Sequence, residues 1–444
     1  MRKAHNSGCV MIPTIVISSI TFVTIILSLF LFPKIKIGKS FFNTYWMIAL
    51  LGAVILLAFS LAPAKEVWSE LIADTKINPL KILVLFFSMT LISIYLDEFG
   101  LFQYLANIAV KRAKGNQFAL FFALYGLVAA LTIVTSNDIV ILTLTPFICF
   151  FCKRAHINPL PYLIAEFTAA NTWSLMLVIG NPTNIFLATS AGIDFIQYIK
   201  VMALPTIAAG LVELLLLFLI FRKKLKEPIA DVDHKDIEIE NKLMLIIGVV
   251  HLIICLIFLI ISSYIGFEMW IISLGCAISL TLGTWLAAMI TKRNMFYIKG
   301  AIRRLPYALV PFFLSMFIVV VALNYQGISF EIAKLFGENN IVWIYGYSSF
   351  LASNIINNIP MSILYSHLCA SLTGVSYQAA IYASIIGSNI GAFLTPMGAL
   401  AGIMFINLLN ERDVKFTFLD FIKNGVIIAL PTITTALLVL FFIL

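Results

Sequence analysis

Residues 111–154 read KRAKGNQFALFFALYGLVAALTIVTSNDIVILTLTPFICFFCKR. Basic residues bracket the stretch, with Lys111, Arg112 and Lys114 in front and Lys153 and Arg154 behind. Loops rich in Lys and Arg stay on the cytoplasmic side of a membrane, so the chain enters and leaves this segment on one side. The apolar run between the brackets is long enough for two passes, and its middle carries the polar run Thr135-Ser136-Asn137-Asp138. A hairpin that turns within the membrane accounts for both features. A second such hairpin is expected over 341–370, interrupted by Asn357-Asn358-Ile359-Pro360 and flanked by poorly charged segments, so it enters from the opposite side.

The rest of the chain has the same character. Of its 444 residues, 61% are hydrophobic and 11% charged, too little charge to cover a soluble protein of this length. Apolar blocks run over 11–32, 43–63, 79–96, 199–221, 243–262, 266–290, 307–323 and 420–444. Each approaches the roughly 20 residues that a helix needs to cross the hydrocarbon core. The short alternating segments of a β-barrel are missing. The first block lacks a small-x-small cleavage site and precedes Lys34, Lys36 and Lys39, which reads as a retained helix rather than a signal peptide. Cys149 and Cys152 form a CxxC with no second thiol pair or histidine to complete a metal site, so no metal is expected.

The net charge of +8 is no nucleic-acid footprint, because most basic residues lie in short loops at 34–39, 111–114, 153–154, 222–242, 292–304 and 412–415. Placing these loops in the cytoplasm predicts an all-α polytopic membrane protein with about ten transmembrane helices, two re-entrant hairpins and both termini outside.

Punctuation repeats along the chain. Gly100 is followed by Asn137 and Asn171, and Gly327 by Asn357 and Asn389, at similar intervals. Each series ends in a proline-containing polar break, Gly180-Asn181-Pro182-Thr183-Asn184 or Thr395-Pro396-Met397-Gly398. The expected organisation is an extra N-terminal helix (1–42), a first inverted repeat (43–222), a cytoplasmic linker (223–242) and a second inverted repeat (243–444). Inverted repeats with helices broken at the midplane are the plan of secondary transporters. Backbone that leaves helical geometry in hydrocarbon is tolerated only against protein or a water-filled cavity.

The breaks therefore nominate a substrate site: Ser136, Asn137, Asp138, Asn171, Asn181, Thr183, Asn184, Asn357, Asn358, Ser388, Asn389 and Thr395. Helix N-termini suit an anion or a polarised oxygen, and amide, hydroxyl and carbonyl oxygens also suit a sodium ion. Any one of these residues alone reads equally well as a helix cap; four matched clusters favour a shared cavity. Pro182, Pro360 and Pro396 read as fold punctuation. Ionisable groups at membrane depth are costly and mark function, which makes Asp138, Glu166 and Glu213 the proton-coupling candidates. Asp97 and Glu98 fall at a helix end and are expected to be solvated.

At these residues the chain resembles the arsenite permease family, within a larger ion transporter superfamily, over residues 43–444. The resemblance rests on 91–102 (LISIYLDEFGLF), Ser136-Asn137-Asp138 with Leu142-Thr143-Leu144-Thr145-Pro146, Asn357-Asn358-Ile359-Pro360, and 387–401 (GSNIGAFLTPMGALA). It implies expulsion of trivalent arsenic and antimony, driven by protons or by a soluble ATPase docked on the cytoplasmic face, and a homodimer in which one part of each subunit slides against a fixed part. The family carries Asp where this chain has Asn171 and Asn389, and a Pro-Lys pair where it has Ala392-Phe393. The expected function is export of arsenite, antimonite or a related small inorganic species against protons. The alternatives on the same fold are a sodium- or proton-coupled carrier of dicarboxylates or other anions, and a cation/proton antiporter. No catalytic motif or cofactor signature points to an enzyme; the only implied ligand besides solute is a coupling H+ or Na+.

Overall fold

A computed structural model describes residues 7–37, 40–73, 78–226, 239, 241–291 and 296–444. The described chain is almost entirely α-helical, with one short hairpin of strands, Lys34–Ile37 against Ser40–Asn43. Among the described residues, eight helices are long and apolar enough to cross a bilayer. Counting each broken pair of helices as one crossing, the described residues make about ten crossings and two hairpins, as the sequence predicts.

The helices fall into two series with the same order. The first runs Ser7–Leu31, Thr44–Ala58, Ala64–Ile72 and Pro79–Glu98, then Leu101–Ala113, the hairpin Gln117–Val134/Asn137–Arg154, the broken pair Leu160–Trp173/Pro182–Ser190, and Phe195–Phe221. The second runs Lys242–Ile265, Met269–Ile290, Phe296–Arg304 and Leu309–Tyr325, then Ile328–Phe336, the hairpin Ile341–Ile356/Asn358–Cys369, the broken pair Gly374–Gly391/Leu400–Glu411, and Phe418–Ile443. Local chemistry matches as well. Gly100 and Gly327 take left-handed backbone (φ 81° and 77°) at the same joint, where a side chain would be strained. The last helix of each series starts with a capping box, Asp194/Gln197 or Thr417/Asp420, which satisfies the free N–H groups of its first turn.

Packing obeys the same symmetry. Helix 44–58 lies on Leu309–Tyr325 of the second series, and its counterpart 269–290 lies on Pro79–Glu98 of the first. Helix 7–31 packs on 44–58 as 242–265 packs on 269–290. Helix 7–31 takes the place in this packing that 242–265 takes in the second series, which gives each series five crossings and a hairpin. An odd number of crossings inverts the second series relative to the first. The expected linker 223–242 lies mostly outside the described residues.

The second hairpin is held by small residues. Helix 341–356 meets Gly374–Gly391 through Gly346, Ser349 and Ser353 on one side and Gly387 and Gly391 on the other. A Cβ on Gly387 would run into Ser349 Oγ, the Gly346 carbonyl and the Phe350 amide. Close backbone approach at such stripes drives helix association in membranes. We expect Gly387→Ala to lower stability by about 3 kcal/mol, the upper end for overpacking, because backbone stands in the way. Thermal unfolding of the purified variant in detergent checks this.

Candidate substrate site and its relatives

The hairpin tips and helix breaks converge. The first tip is the extended pair Thr135-Ser136, buried like the Asn137 that follows. Helix 160–173 ends at Trp173, and irregular backbone with one 3-10 turn leads to the next helix at Pro182. Asn181 caps that helix by accepting from Thr183 N–H, and proline at its first position needs no partner for a missing N–H.

Side-chain amides link these elements in one chain. Asn137 Nδ2 donates to Asn171 Oδ1 (3.1 Å). The Ser174 hydroxyl bridges the Asn171 carbonyl (2.7 Å) and Asn389 Oδ1 (2.9 Å). Asn181 Nδ2 donates to the same Asn389 oxygen (2.9 Å), and Asn389 Nδ2 donates to Asn184 Oδ1 (2.6 Å). Asn389 belongs to the second repeat and its three side-chain partners to the first. The network thus spans the pseudo-symmetry axis, with Asn171, Asn184 and Asn389 fully buried. Asn137 Oδ1, Ser136 Oγ and Ser388 Oγ remain buried without a hydrogen-bond partner, a costly condition that marks a place for water or solute.

The second tip is engaged differently. Asn357 has φ 71° and donates Nδ2 to the Met397 carbonyl (3.1 Å), while Asn358 N–H donates to the Gly398 carbonyl (3.1 Å). Thr395 gives both its amide and its hydroxyl to Asn354 Oδ1. This tip is locked onto the second helix break.

A cavity of about 370 Å³ reaches the first tip. Ser136 and Asp138 line it together with Tyr45, Thr90 and Leu309; Lys34 and Arg304, from two of the basic segments that the charge pattern places on one face, and Glu411 at the end of helix 400–411 also line it. Asp138 sits in the first turn of its helix, where the partial positive charge of the N-terminus favours a carboxylate. No hydrogen bond or ion pair to its side chain is present among the described residues.

The remaining acids are placed less centrally. Glu166 is buried and accepts from the Thr145 hydroxyl (3.1 Å to each oxygen). Glu213 is fully buried in helix 195–221. Neither lines the cavity. Asp97 and Glu98, expected in solvent, instead form an ion-paired cluster with Arg304, Asp97 being 8% exposed. Here helix 296–304 docks on the end of Pro79–Glu98, its Gly300 against the Glu98 carboxylate. Cys149 and Cys152 are free, buried thiols.

Sequence reasoning missed Ser174, which joins the first break to Asn389 of the second repeat, and Asn354, which joins the second tip to the second break. A signal for the repeat was also missed: Ala203-Leu204-Pro205-Thr206-Ile207 recurs exactly as Ala429-Leu430-Pro431-Thr432-Ile433.

The model of the family described as "CitMHS: Citrate transporter" matches residues 29–387. The chain belongs to this citrate transporter family. It is thus a multi-pass membrane transporter. Among relatives, this transporter is 27% identical over 414 residues to an arsenical pump membrane protein of Escherichia coli, covering 88% of this chain and 91% of the relative. It is 24% identical to a putative arsenical pump membrane protein of Bacillus subtilis (strain 168), covering 89% and 92%. A 46 kDa membrane protein of Mycobacterium leprae is 25% identical over 406 residues, covering 87% and 91%. The resemblance drawn from the hairpin and break motifs is thereby met. The solved structure of the Alcanivorax borkumensis YdaH transporter shares the fold, with a TM-score of 0.54 at 14% identity over 98% of this chain and 97% of that one.

Proposed function

We propose that this transporter exports an uncharged trihydroxy species of trivalent arsenic or antimony in exchange for protons. The observation that carries the reading is the neutral, wholly amide-and-hydroxyl network through Asn137, Asn171, Ser174, Asn181, Asn184 and Asn389. Arsenous acid is uncharged near neutral pH and offers three O–H donors and their lone pairs. Amides and hydroxyls present both donors and acceptors to it without the cost of a desolvated charge. A citrate or dicarboxylate anion would call for cationic partners. Arg304 and Lys34 stand at the cavity's charged end, and Arg304 is already neutralised by Asp97 and Glu98.

Asp138 is the group we assign to the proton. It faces the cavity, has no cationic partner among the described residues, and adjoins Asn137 in the chain. Protonation removes its charge beside the network, and the proton and the solute alternate there. With basic loops in the cytoplasm, the open cavity faces inward, and the bonds of Asn357 and Asn358 to the second break close the outer path. The paired helices 7–58 and 242–290, which carry no breaks, form the fixed part in this scheme, and dimerisation through them fits their exposed apolar faces. An ATPase subunit would dock on the face carrying the basic loops.

The test is a growth and uptake screen in a strain without its own arsenic exporters. We expect expression of the chain to raise arsenite and antimonite tolerance and to lower cell-associated arsenic. Unchanged arsenite tolerance together with citrate or dicarboxylate uptake would assign the network to carboxylates instead.

A further inference from the structure

Glu213 is not required by the fold. Matching Asn171 with Asn389, and the two ALPTI segments with each other, sets Thr168, Thr172 and Glu213 against Ile386, Ile390 and Val439. Helix 160–173 packs on 195–221 as 374–391 packs on 418–443. The second repeat thus builds this junction from apolar side chains, as expected for a helix contact in hydrocarbon. The first repeat replaces all three with oxygen-bearing residues. Tyr125 matches Tyr345 and stands at the junction in the first repeat, within reach of Glu213 together with Thr168 and Thr172.

All four residues are buried, Glu213 and Thr172 completely. Both Glu213 carboxylate oxygens and Thr172 Oγ1 lack a hydrogen-bond partner. Two of the three neighbouring hydroxyl protons are already committed, since Thr168 Oγ1 donates to the Ile164 carbonyl and Tyr125 O–H to the Gly210 carbonyl; that of Thr172 alone is free to turn to the carboxylate. Oxygen atoms with a single free proton among them therefore surround a carboxylate that no basic side chain balances among the described residues. A buried uncompensated charge costs several kcal/mol. One proton would satisfy one acceptor of this group; a hard monovalent cation satisfies them together.

We propose that Glu213, Thr168 and Thr172, with Tyr125 behind them, bind a dehydrated monovalent cation of sodium size. The site is separate from the amide network and does not depend on which solute that network carries. It lies directly behind the first break, because Trp173 Nε1 donates to Tyr125 Oη (3.1 Å) and Ser174 follows in the chain. An ion there ties helices 117–134, 160–173 and 195–221 into one body and fixes Ser174 for its bond to Asn389.

Thermal unfolding of the purified protein in detergent tests this, with sodium chloride titrated against choline chloride and potassium chloride at constant ionic strength. Wild type should show a saturable rise in Tm with sodium and a smaller or absent rise with the other salts. E213Q should be as stable without sodium as wild type is with it, and should gain nothing further. Thr172→Val should raise the sodium concentration at half-effect about tenfold or more, as loss of one supporting group does at metal sites; it also serves if E213Q does not fold. Equal Tm in sodium and choline for wild type, or a Tm that follows only pH, would overturn the proposal. So would an unaltered sodium response in E213Q. Arsenite tolerance is read separately, so failure of one assignment leaves the other standing.

Discussion

Asp138→Asn is expected to abolish accumulation against a gradient while leaving exchange of solute intact. The side chain keeps its shape and its place in the first turn of helix 137–154, so the fold should persist. What changes is the exchangeable proton. For one proton exchanged per solute with the membrane potential clamped at zero, a gradient of one pH unit supports about tenfold accumulation, since about 1.4 kcal/mol is a factor of ten. The variant should show a ratio near unity under the same gradient. Preloaded vesicles should still exchange unlabelled for labelled solute, because the amide network is untouched. A variant that accumulates like wild type would move the coupling proton to Glu166 or another group. A variant that neither accumulates nor exchanges would make Asp138 a residue of the solute site itself.

The second large effect is expected at Asn389. Its amide oxygen accepts from Ser174 and Asn181 and its amide nitrogen donates to Asn184. Truncation to Ala leaves Asn181 Nδ2 and Asn184 Oδ1 buried and unpaired, each at a cost of about 1–3 kcal/mol, while Ser174 keeps its bond to the Asn171 carbonyl. Asn389→Ala should therefore unfold at markedly lower temperature and lose transport. Asn389→Asp keeps acceptor oxygens for Ser174 and Asn181 and loses the donations to Asn184 and to the Ile385 carbonyl, so its stability should fall between wild type and Asn389→Ala. Detergent-solubilised protein, followed by thermal unfolding, gives the order. If Ala and Asp were equally mild, the amides would not be acting as one network.

Much of this architecture is legible in the residues. Hydropathy blocks mark spans because hydrocarbon tolerates no unpaired backbone, and the hairpins follow from basic residues at both ends of 111–154 and a polar run in the middle. The Asn clusters are legible for the same reason: amides within apolar blocks are expensive unless they meet one another. Asn137 does meet Asn171, and Asn389 meets Asn181 and Asn184. Three things were hidden. The match of helix 7–31 to 242–265 shows only in its packing against 44–58, which no local pattern encodes. The ion pairs of Asp97 and Glu98 with Arg304 depend on a contact between residues about 200 positions apart in the chain, and hydropathy places the two acids only at a helix end. Ser174 was overlooked because a serine beside a tryptophan carries no motif; its role appears only when helix 160–173 stops there.

The proposal of proton-driven exchange across a neutral network is tested most directly in proteoliposomes made acid inside, with external arsenite as solute. Arsenite should accumulate above the external concentration, an effect lost on adding a protonophore and absent in Asp138→Asn. Arsenite that only equilibrates in wild type, with the pH gradient intact and unaltered by the solute, would contradict it.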